Sequence, residues 1–560
     1  MTRFVQAGPS LRDPYTADPQ LRGWLDRLLG EDGHAAAKER LSDLSAEVLG
    51  PLRVAHHDAE THPPVLTRFD AWGERVERVD TSAGWQAQRA AAARHAVVAL
   101  PYLPEARGTW GAGARVVQQA LLHLWGPESA TFSCPVAMAD GAAALLTQTG
   151  AQGEWLARLV STDPAVAVTS GQWMTESQGG SDIARSTTTA RADGAGGWVL
   201  TGDKWFCSAV DSAMAVALAR PEGAGAGSRN LVPFLVPRYA GGGVLPAQGV
   251  QVLRLKDKLG TRAVPTGEVR LDGARAFPLT DPGRPGLGAM MTLVVVTRLH
   301  NAAAAAGGMR RGLEYALAYA AERTIAGGVL ADNPLHRATL GGLAVDAAGA
   351  FALAAHSFAL LGRAEHGDAD AAAELRLAAP LAKLTTGRLA VASASEYLEC
   401  FGGAGYVEDT GIPRLLRDAQ VLPIWEGTTN VLSIDVLRAL SADGGRPLLH
   451  RLTAAADAAT HRLPGVAEAL AAATTRLAGD VATAAGDPRD ARVVAGAREL
   501  ALRLGHAYTA GLLLEHAAWA AERGDERPAL LASLWILRRL GHADISADLH
   551  AGFDQLVTAP

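Results

Sequence analysis

The chain has 560 residues, 48% of them hydrophobic and 20% charged, with a formal net charge of −6. That length exceeds what one hydrophobic core serves, and the mixed composition excludes a disordered or fibrous chain. An acidic total is not that of a general nucleic-acid binder, although a local basic patch can sit within it. The three cysteines, Cys134, Cys207 and Cys400, lie too far apart in sequence to suggest a metal or redox pair, so no metal site is expected. Scarce cysteine fits a reducing compartment, and the cytoplasm is the expected location. The first residues, MTRFVQAGPSLRDPY, lack the apolar stretch of a signal peptide. No segment reads as apolar for long enough to span a bilayer, so no membrane is expected.

The first third reads as helical. HAAAKERLSDLSAEVLGPL and GWQAQRAAAARHAVVAL are rich in Ala, Leu and Arg, and a polar loop, HDAETHPPVLTRFDAWGER, separates them. Near residue 165 the texture changes. Short runs rich in Val, Trp, Phe and Thr follow: AVAVTSGQWM, GWVLTGDKWFCSA, AMAVALAR, NLVPFLVPR, VQVLRL and TGEVRLDGARAF. Their turn residues predict an antiparallel β domain to about residue 285, with PEGAGAGSRN as a hairpin tip or loop. Long apolar helices return from about residue 286 and should pack as a bundle. Residues 446–560 are again helical, with breaks at GDPRD and RGDERPA. The expected division is a helical domain over 1–165, a β domain over 166–285, a bundle over 286–445 and a helical extension over 446–560.

Three segments carry polar chemistry. MTESQGGSD, Met174 to Asp182, places glycines and hydroxyls at a predicted strand end, where backbone N–H groups approach a ligand closely. The same residues also suit a purely structural turn. GDKWFCS, Gly202 to Ser208, sets an aromatic pair beside a hydroxyl, which walls a planar cofactor or else fills a sheet core. FGGAGYVED precedes RLLRDAQVLPIWEGTTN, in which Glu426 enters a helix marked by Val431, Ile434, Leu437 and Leu440. A carboxylate there serves as a base, or simply favours the positive end of the helix.

Together these segments resemble the acyl-CoA dehydrogenase family in order and spacing across residues 170–440. HPPVLTRFDAWGERV, FSCPVAM, RLKDKLGTRA, LPIWEGTTNVLSIDVLRAL and the C-terminal extension resemble its AidB, or alkylation-response, branch. The resemblance implies an α+β acyl-CoA dehydrogenase fold: an N-terminal helical domain, a middle antiparallel β domain and a C-terminal four-helix bundle, with an additional helical domain. It also implies FAD. Met174, Thr175, Gly180 and Ser181 match flavin-contacting positions. Phe206 and Ser208 match the aromatic and hydroxyl positions beside the isoalloxazine ring, where the wider family has Trp and Thr.

Asn430 matches a position at the nucleotide end of FAD, and Arg323 an arginine that reaches the diphosphate across a subunit boundary. Ala326 stands where the family more often has Phe. Glu399, Gly402 and Gly403 belong to the glycine-rich turn that contacts flavin and a neighbouring subunit. Trp425 and Arg298 match the substrate pocket. Some relatives hold their base immediately before the position of Arg298; Thr297 stands there and is no base, which leaves Glu426.

The implied function is an AidB-like, FAD-dependent oxidoreductase acting on acyl thioesters, in the response to DNA alkylation. Three alternatives stand beside it: a metabolic acyl-CoA dehydrogenase, a flavin oxidase or monooxygenase acting on a nitrogenous small molecule, and a non-enzymatic DNA protector. A homotetramer is implied as well. Double-stranded DNA is a partner that the charge count disfavours. Residues 441–560 hold twelve arginines, no lysine and fourteen acidic residues, whereas phosphate binding wants clustered positive charge. Arg492 with Arg498, or Arg538 with Arg539, are the candidates for such a cluster.

Overall fold

The computed structural model describes residues 6, 8–194, 197–239, 247–443, 445–540, 552 and 555–557. They form two compact units. One is mostly helical and gathers residues 1–46, 107–127 and 301–560; the other gathers 47–106 and 128–300 around a sheet.

The sheet unit begins with α2 (Pro51–Thr61); α1 (Pro19–Leu49) precedes it. The segment read as a polar loop is instead a hairpin, β1 (Val65–Phe69) and β2 (Arg75–Asp80), paired antiparallel. Its charged residues hid it from the sequence, because they serve as contacts. Glu77, fully buried, accepts from the Val252 backbone N–H at 2.6 Å, and its own carbonyl accepts from Arg238 at 2.8 Å. Then come α3 (Ala83–Arg94), α4 (Pro104–Trp110), α5 (Ala114–Trp125), α6 (Ser133–Thr149) and α7 (Gly153–Leu159), of which α5 belongs to the helical unit. Helix α3 meets α2 at Gly84, where a Cβ would lie 2.0 Å from the Ala55 carbonyl oxygen.

The strands are β3 (Ser170–Trp173), β4 (Thr189–Ala192), β5 (Trp198–Cys207), β6 (Met214–Pro221), β7 (Val232–Pro237), β8 (Val250–Leu255) and β9 (Gly267–Pro278). Six neighbour one another in the order β3-β6-β4-β5-β9-β7, β8 pairs with β9, and β7 pairs back onto β6 to close the ring. The sheet is not wholly antiparallel as expected: β3 and β4 each run parallel to β6. Trp173, Leu200, Cys207, Phe234, Val252 and Leu271 belong to the core it encloses.

Helix α8 (Leu287–Glu322) carries the chain into the helical unit. A two-residue ladder, β10 (Thr324–Ile325) with β11 (Gly328–Val329), turns it toward α9 (Pro334–Glu365) and α10 (Ala369–Cys400). Then follow α11 (Ile412–Ala419) and α12 (Thr429–Asp443), and the extension α13 (Arg446–Ala459), α14 (Pro464–Gly486), α15 (Ala491–Ala521) and α16 (Arg527–Arg539). The buried face of α12 is Leu432, Val436, Leu437 and Leu440, so two of the four residues singled out by spacing, Val431 and Ile434, lie at its margin.

One expectation is corrected. Helices α8 and α9 are long and apolar enough to cross a membrane, with 18-residue windows of mean hydropathy 1.2 and 1.5. Those windows are 72% and 89% buried inside the protein, the pattern of core helices rather than of spans facing lipid.

Candidate active site

In the sheet unit, β3 ends at Trp173 and the chain enters the turn from Met174 to Asp182. Glu176 folds back beneath this turn and is 2% exposed. Its two oxygens accept from the backbone and hydroxyl of Thr187 (2.7 and 2.8 Å), from those of Thr188 (3.1 and 2.6 Å), and from the Lys204 ammonium at 2.9 Å. Burial alone would raise the pKa of Glu176. The Lys204 charge, and then the Thr187 and Thr188 donors, hold it well below the ordinary carboxylate range. Burial in turn pulls the Lys204 pKa down, against the opposing attraction of Glu176. The turn is therefore anchored from below, while Gly180 and Ser181 stay exposed above. A Cβ on Gly180 would lie 2.7 Å from the Thr175 hydroxyl and would push that side chain aside. The Trp205 N–H donates to the Thr175 carbonyl at 2.9 Å and ties the turn to β5.

On β5 the pairing with β9 slips by one residue between Lys204 and Cys207. This bulge breaks the alternation of faces. Lys204 and Cys207 both point inward, and Trp205 and Phe206 turn outward. The aromatic pair thus does not fill the sheet core: Phe206 is 58% exposed, and Ser208 two residues on is half-buried. Lys256 sits 3.6 Å from the Trp205 ring centroid and is held by Glu268 at 2.7 Å.

In the helical unit, Glu426 lies in the loop between α11 and α12 and is half-buried. Its φ is +55° and that of Gly427 is +102°. A left-handed conformation costs a non-glycine residue about 1–2 kcal/mol, and such strain persists only where surrounding contacts impose it. The contacts are visible. The fully buried Lys383 of α10 donates to the Gly427 carbonyl at 2.6 Å. One turn further along α10, Gly387 leaves a bare surface, where a Cβ would come within 3.1 Å of the Leu422 carbonyl oxygen. Asn301 of α8 donates to that same carbonyl at 3.3 Å and accepts from the Trp425 indole N–H. The loop carrying Trp425 and Glu426 is therefore gripped by α8 and α10.

The remaining assigned positions fall elsewhere in their own units. Arg298 is buried on α8, and the neighbouring Thr297 spends its hydroxyl on the Val294 carbonyl at 3.0 Å. Arg323 is half-buried just past the end of α8. Glu399, Gly402 and Gly403 are exposed at the end of α10, where Gly402 adopts φ +57° and ends the helix. Asn430 is shared with the extension, since its side-chain oxygen accepts from Arg498 of α15 at 2.9 Å. Sequence reasoning missed Lys383, Asn301, Glu176 and Lys204. The signal for Lys383 was a single cation inside the apolar run LAAPLAKL, because a lysine buried on a helix needs a partner.

This geometry agrees with the comparisons to known proteins. The descriptions "Acyl-CoA dehydrogenase, middle domain" and "Acyl-CoA dehydrogenase, C-terminal domain" match residues 171–274 and 284–441, and "Adaptive response protein AidB N-terminal domain" matches 9–163. The chain belongs to the acyl-CoA dehydrogenase family, FAD-dependent oxidoreductases acting on CH–CH groups.

Within that family it is 38% identical to acyl-CoA dehydrogenase family member 11 of Caenorhabditis elegans, over 92% of this chain and 86% of that one. It is 32% identical to AidB of Escherichia coli K12, over 69% of this chain and 71% of that one. The crystal structure of Caenorhabditis elegans ACDH-11 in complex with C11-CoA superposes with a TM-score of 0.90 at 36% identity, covering 98% of this chain and 95% of that one.

The residues present fit the flavin. The hydroxyls of Thr175 and Ser208, the open backbone at Gly180 and Ser181, and the outward Phe206 ring offer hydrogen bonds and an aromatic wall to a planar heterocycle.

Proposed function

We propose that this chain oxidises a fatty acyl-CoA thioester to its 2,3-enoyl product, with Glu426 as the base that removes the α proton. The observation that carries this reading is the Glu426 loop, where a carboxylate is held in a strained backbone conformation by two helices. Such strain persists only where surrounding contacts impose it, and it clusters at active sites; here it falls on a half-buried carboxylate in a loop gripped from two sides. The thioester carbonyl acidifies the α C–H, and a positioned carboxylate takes that proton while the surrounding apolar wall excludes water. Trp425, fixed by Asn301, forms part of that wall. Bound FAD supplies the acceptor for the β hydride, and Thr175, Gly180, Ser181, Phe206 and Ser208 are the residues of the sheet unit that would hold it. The C11-CoA bound to ACDH-11 makes chains of about that length the first substrates to test.

The arginines that the sequence offered to DNA are engaged within the chain. Arg538 donates to the Gly342 carbonyl and Arg539 to Asp346, both at 2.5 Å, while Arg492 pairs with Asp490 and Arg498 with Asn430. Arg498, Arg538 and Arg539 thus hold the extension to the rest of the helical unit, whereas the exposed Arg492 pairs only with the neighbouring Asp490; three of the four candidates serve docking, so we place the acyl-CoA reaction ahead of DNA protection. We also infer the homotetramer of the family, for which Tyr406 and Val407, exposed on the glycine-rich turn, supply apolar surface.

Anaerobic titration of the yellow holoprotein with saturated acyl-CoAs of increasing length tests the reading. Bleaching of the flavin by one of them is the expected result. Flavin that stays oxidised with every chain length would remove the dehydrogenase reading, and oxygen consumption without CoA would put an oxidase in its place.

A further inference from the structure

We propose that Lys383 is the positioning residue of this site: by holding the Gly427 carbonyl, its buried ammonium keeps Glu426 in the left-handed backbone conformation that sets its carboxylate. The inference rests on the reading of Glu426 as the base.

Four observations converge on it. Glu426 and Gly427 are consecutive residues with positive φ, +55° and +102°, so the chain reverses sharply at the carboxylate-bearing residue. Glycine adopts the second conformation without strain, whereas glutamate adopts the first only at a cost. The reversal is held by the 2.6 Å hydrogen bond from Lys383 Nζ to Gly427 O, among other contacts. Lys383 is fully buried on α10, where an ammonium is costly unless fixed dipoles satisfy it, so its partner is held as firmly as the helix itself. On the same face of α10, Gly387 removes the side chain that would push the loop away, and Asn301 fixes the loop four residues earlier, at Leu422. A cation inside an apolar helix face, aimed at the residue after the base, does nothing for packing that leucine or methionine would not do better. It does hold a peptide unit in place, and rate falls steeply when a reacting group drifts.

The test compares Lys383→Met, Lys383→Gln and Glu426→Gln with the unaltered holoprotein by anaerobic stopped flow. Acyl-CoA affinity and flavin content are measured in the same samples. A displacement on the order of 1 Å lowers the reduction rate about 100-fold, and that loss is expected in Lys383→Met with acyl-CoA affinity and flavin content unchanged. Lys383→Gln, which keeps a donor, is expected to fall between the two. Should Lys383→Met not fold, Lys383→Gln carries the test, with a crystal structure in which Glu426 has left the left-handed region as the supporting result.

Addition of ethylammonium to Lys383→Ala is expected to restore rate, since it returns a cation to the vacated space. Near-normal reduction by Lys383→Met overturns the proposal. So does a parallel loss of affinity, flavin and rate, which marks a merely structural lysine. If Glu426→Gln still bleaches the flavin, the base reading itself falls and the proposal with it. If Glu426→Gln is inert while Lys383→Met is normal, only the positioning role falls.

Discussion

The Glu426–Gly427 step is two consecutive residues in the left-handed region. Gly427 has φ +102°, and a Cβ added there would meet the Leu432 side chain at 3.2 Å. Gly427→Ala is therefore expected to lower both the melting temperature and the rate of flavin reduction, read in one preparation by thermal unfolding and stopped flow. Trp425→Phe removes the indole N–H and leaves the buried Asn301 oxygen without that donor, which costs about 1–3 kcal/mol. Its predicted signature is a lower melting temperature with flavin content retained.

The place of Glu426 between an apolar segment and a helix start was legible in LPIWEGTTN, while its reading as a base rested on the family resemblance. Lys383 was not. In the run LAAPLAKL a lysine reads as one solvated position of a helix, and its burial becomes visible only once the loop is seen packed on α10.

Among the elements, the turn from Met174 to Asp182 depends on what lies beneath it. Removing one partner of a buried ion pair leaves an uncompensated charge and costs about 3–5 kcal/mol. Lys204→Met is accordingly predicted to unfold at markedly lower denaturant and to bind FAD more weakly, followed by equilibrium unfolding and flavin release. The pH dependence has a definite sign. The pKa of Glu176 is lowered by folding, so its contribution is complete above the ordinary glutamate value of about 4.3 and is lost as pH falls below it.

The helices and most strands were readable because their periods and turn residues were unambiguous. The β1–β2 hairpin was not, since RVERVD carries its charges on a strand, and besides its local partner Arg75 the buried Glu77 is held by Arg238 and Val252, more than 150 positions away. The bulge in β5 was equally hidden. GDKWFCS sets three apolar residues in a row, which does not show which of them faces in, and it is the slipped pairing with β9 that turns Phe206 outward.

At the scale of the whole molecule, the C-terminal extension is part of the helical unit rather than an appendage. Gly349 of α9 has no room for a Cβ because the Trp535 ring would lie 2.2 Å from it, and Gly505 of α15 faces the Thr385 hydroxyl in the same way. Arg451 of α13 bridges Glu374 and Glu515, and Glu515 also takes Arg27 of α1. Truncation after α12 would strip these contacts, and the shortened chain is expected to be insoluble or to melt well below the full chain.

Two histidines of α15 add a pH dependence. Burial, reinforced by Arg539 and by Arg27 respectively, lowers the pKa of His506 to about 4 and of His516 to about 3. His516 stacks on Trp24 with ring centroids 4.5 Å apart. Both histidines stay neutral in the folded chain and take up protons more readily when unfolded, so their contribution is complete above about pH 6.5 and declines as pH falls through the range below. The melting temperature is predicted to drop between pH 7 and 5, and less so in His516→Gln.

The proposed removal of the α proton of an acyl thioester by Glu426 is a step that isotope exchange reads alone. A 3-oxa-acyl-CoA has no β carbon able to give up hydride, yet its α protons remain exchangeable. Incubated in D2O with the holoprotein, it should gain deuterium at the α carbon, followed by mass spectrometry, and Glu426→Gln should leave it unlabelled. Undiminished exchange by Glu426→Gln would contradict the account and assign the proton to another base.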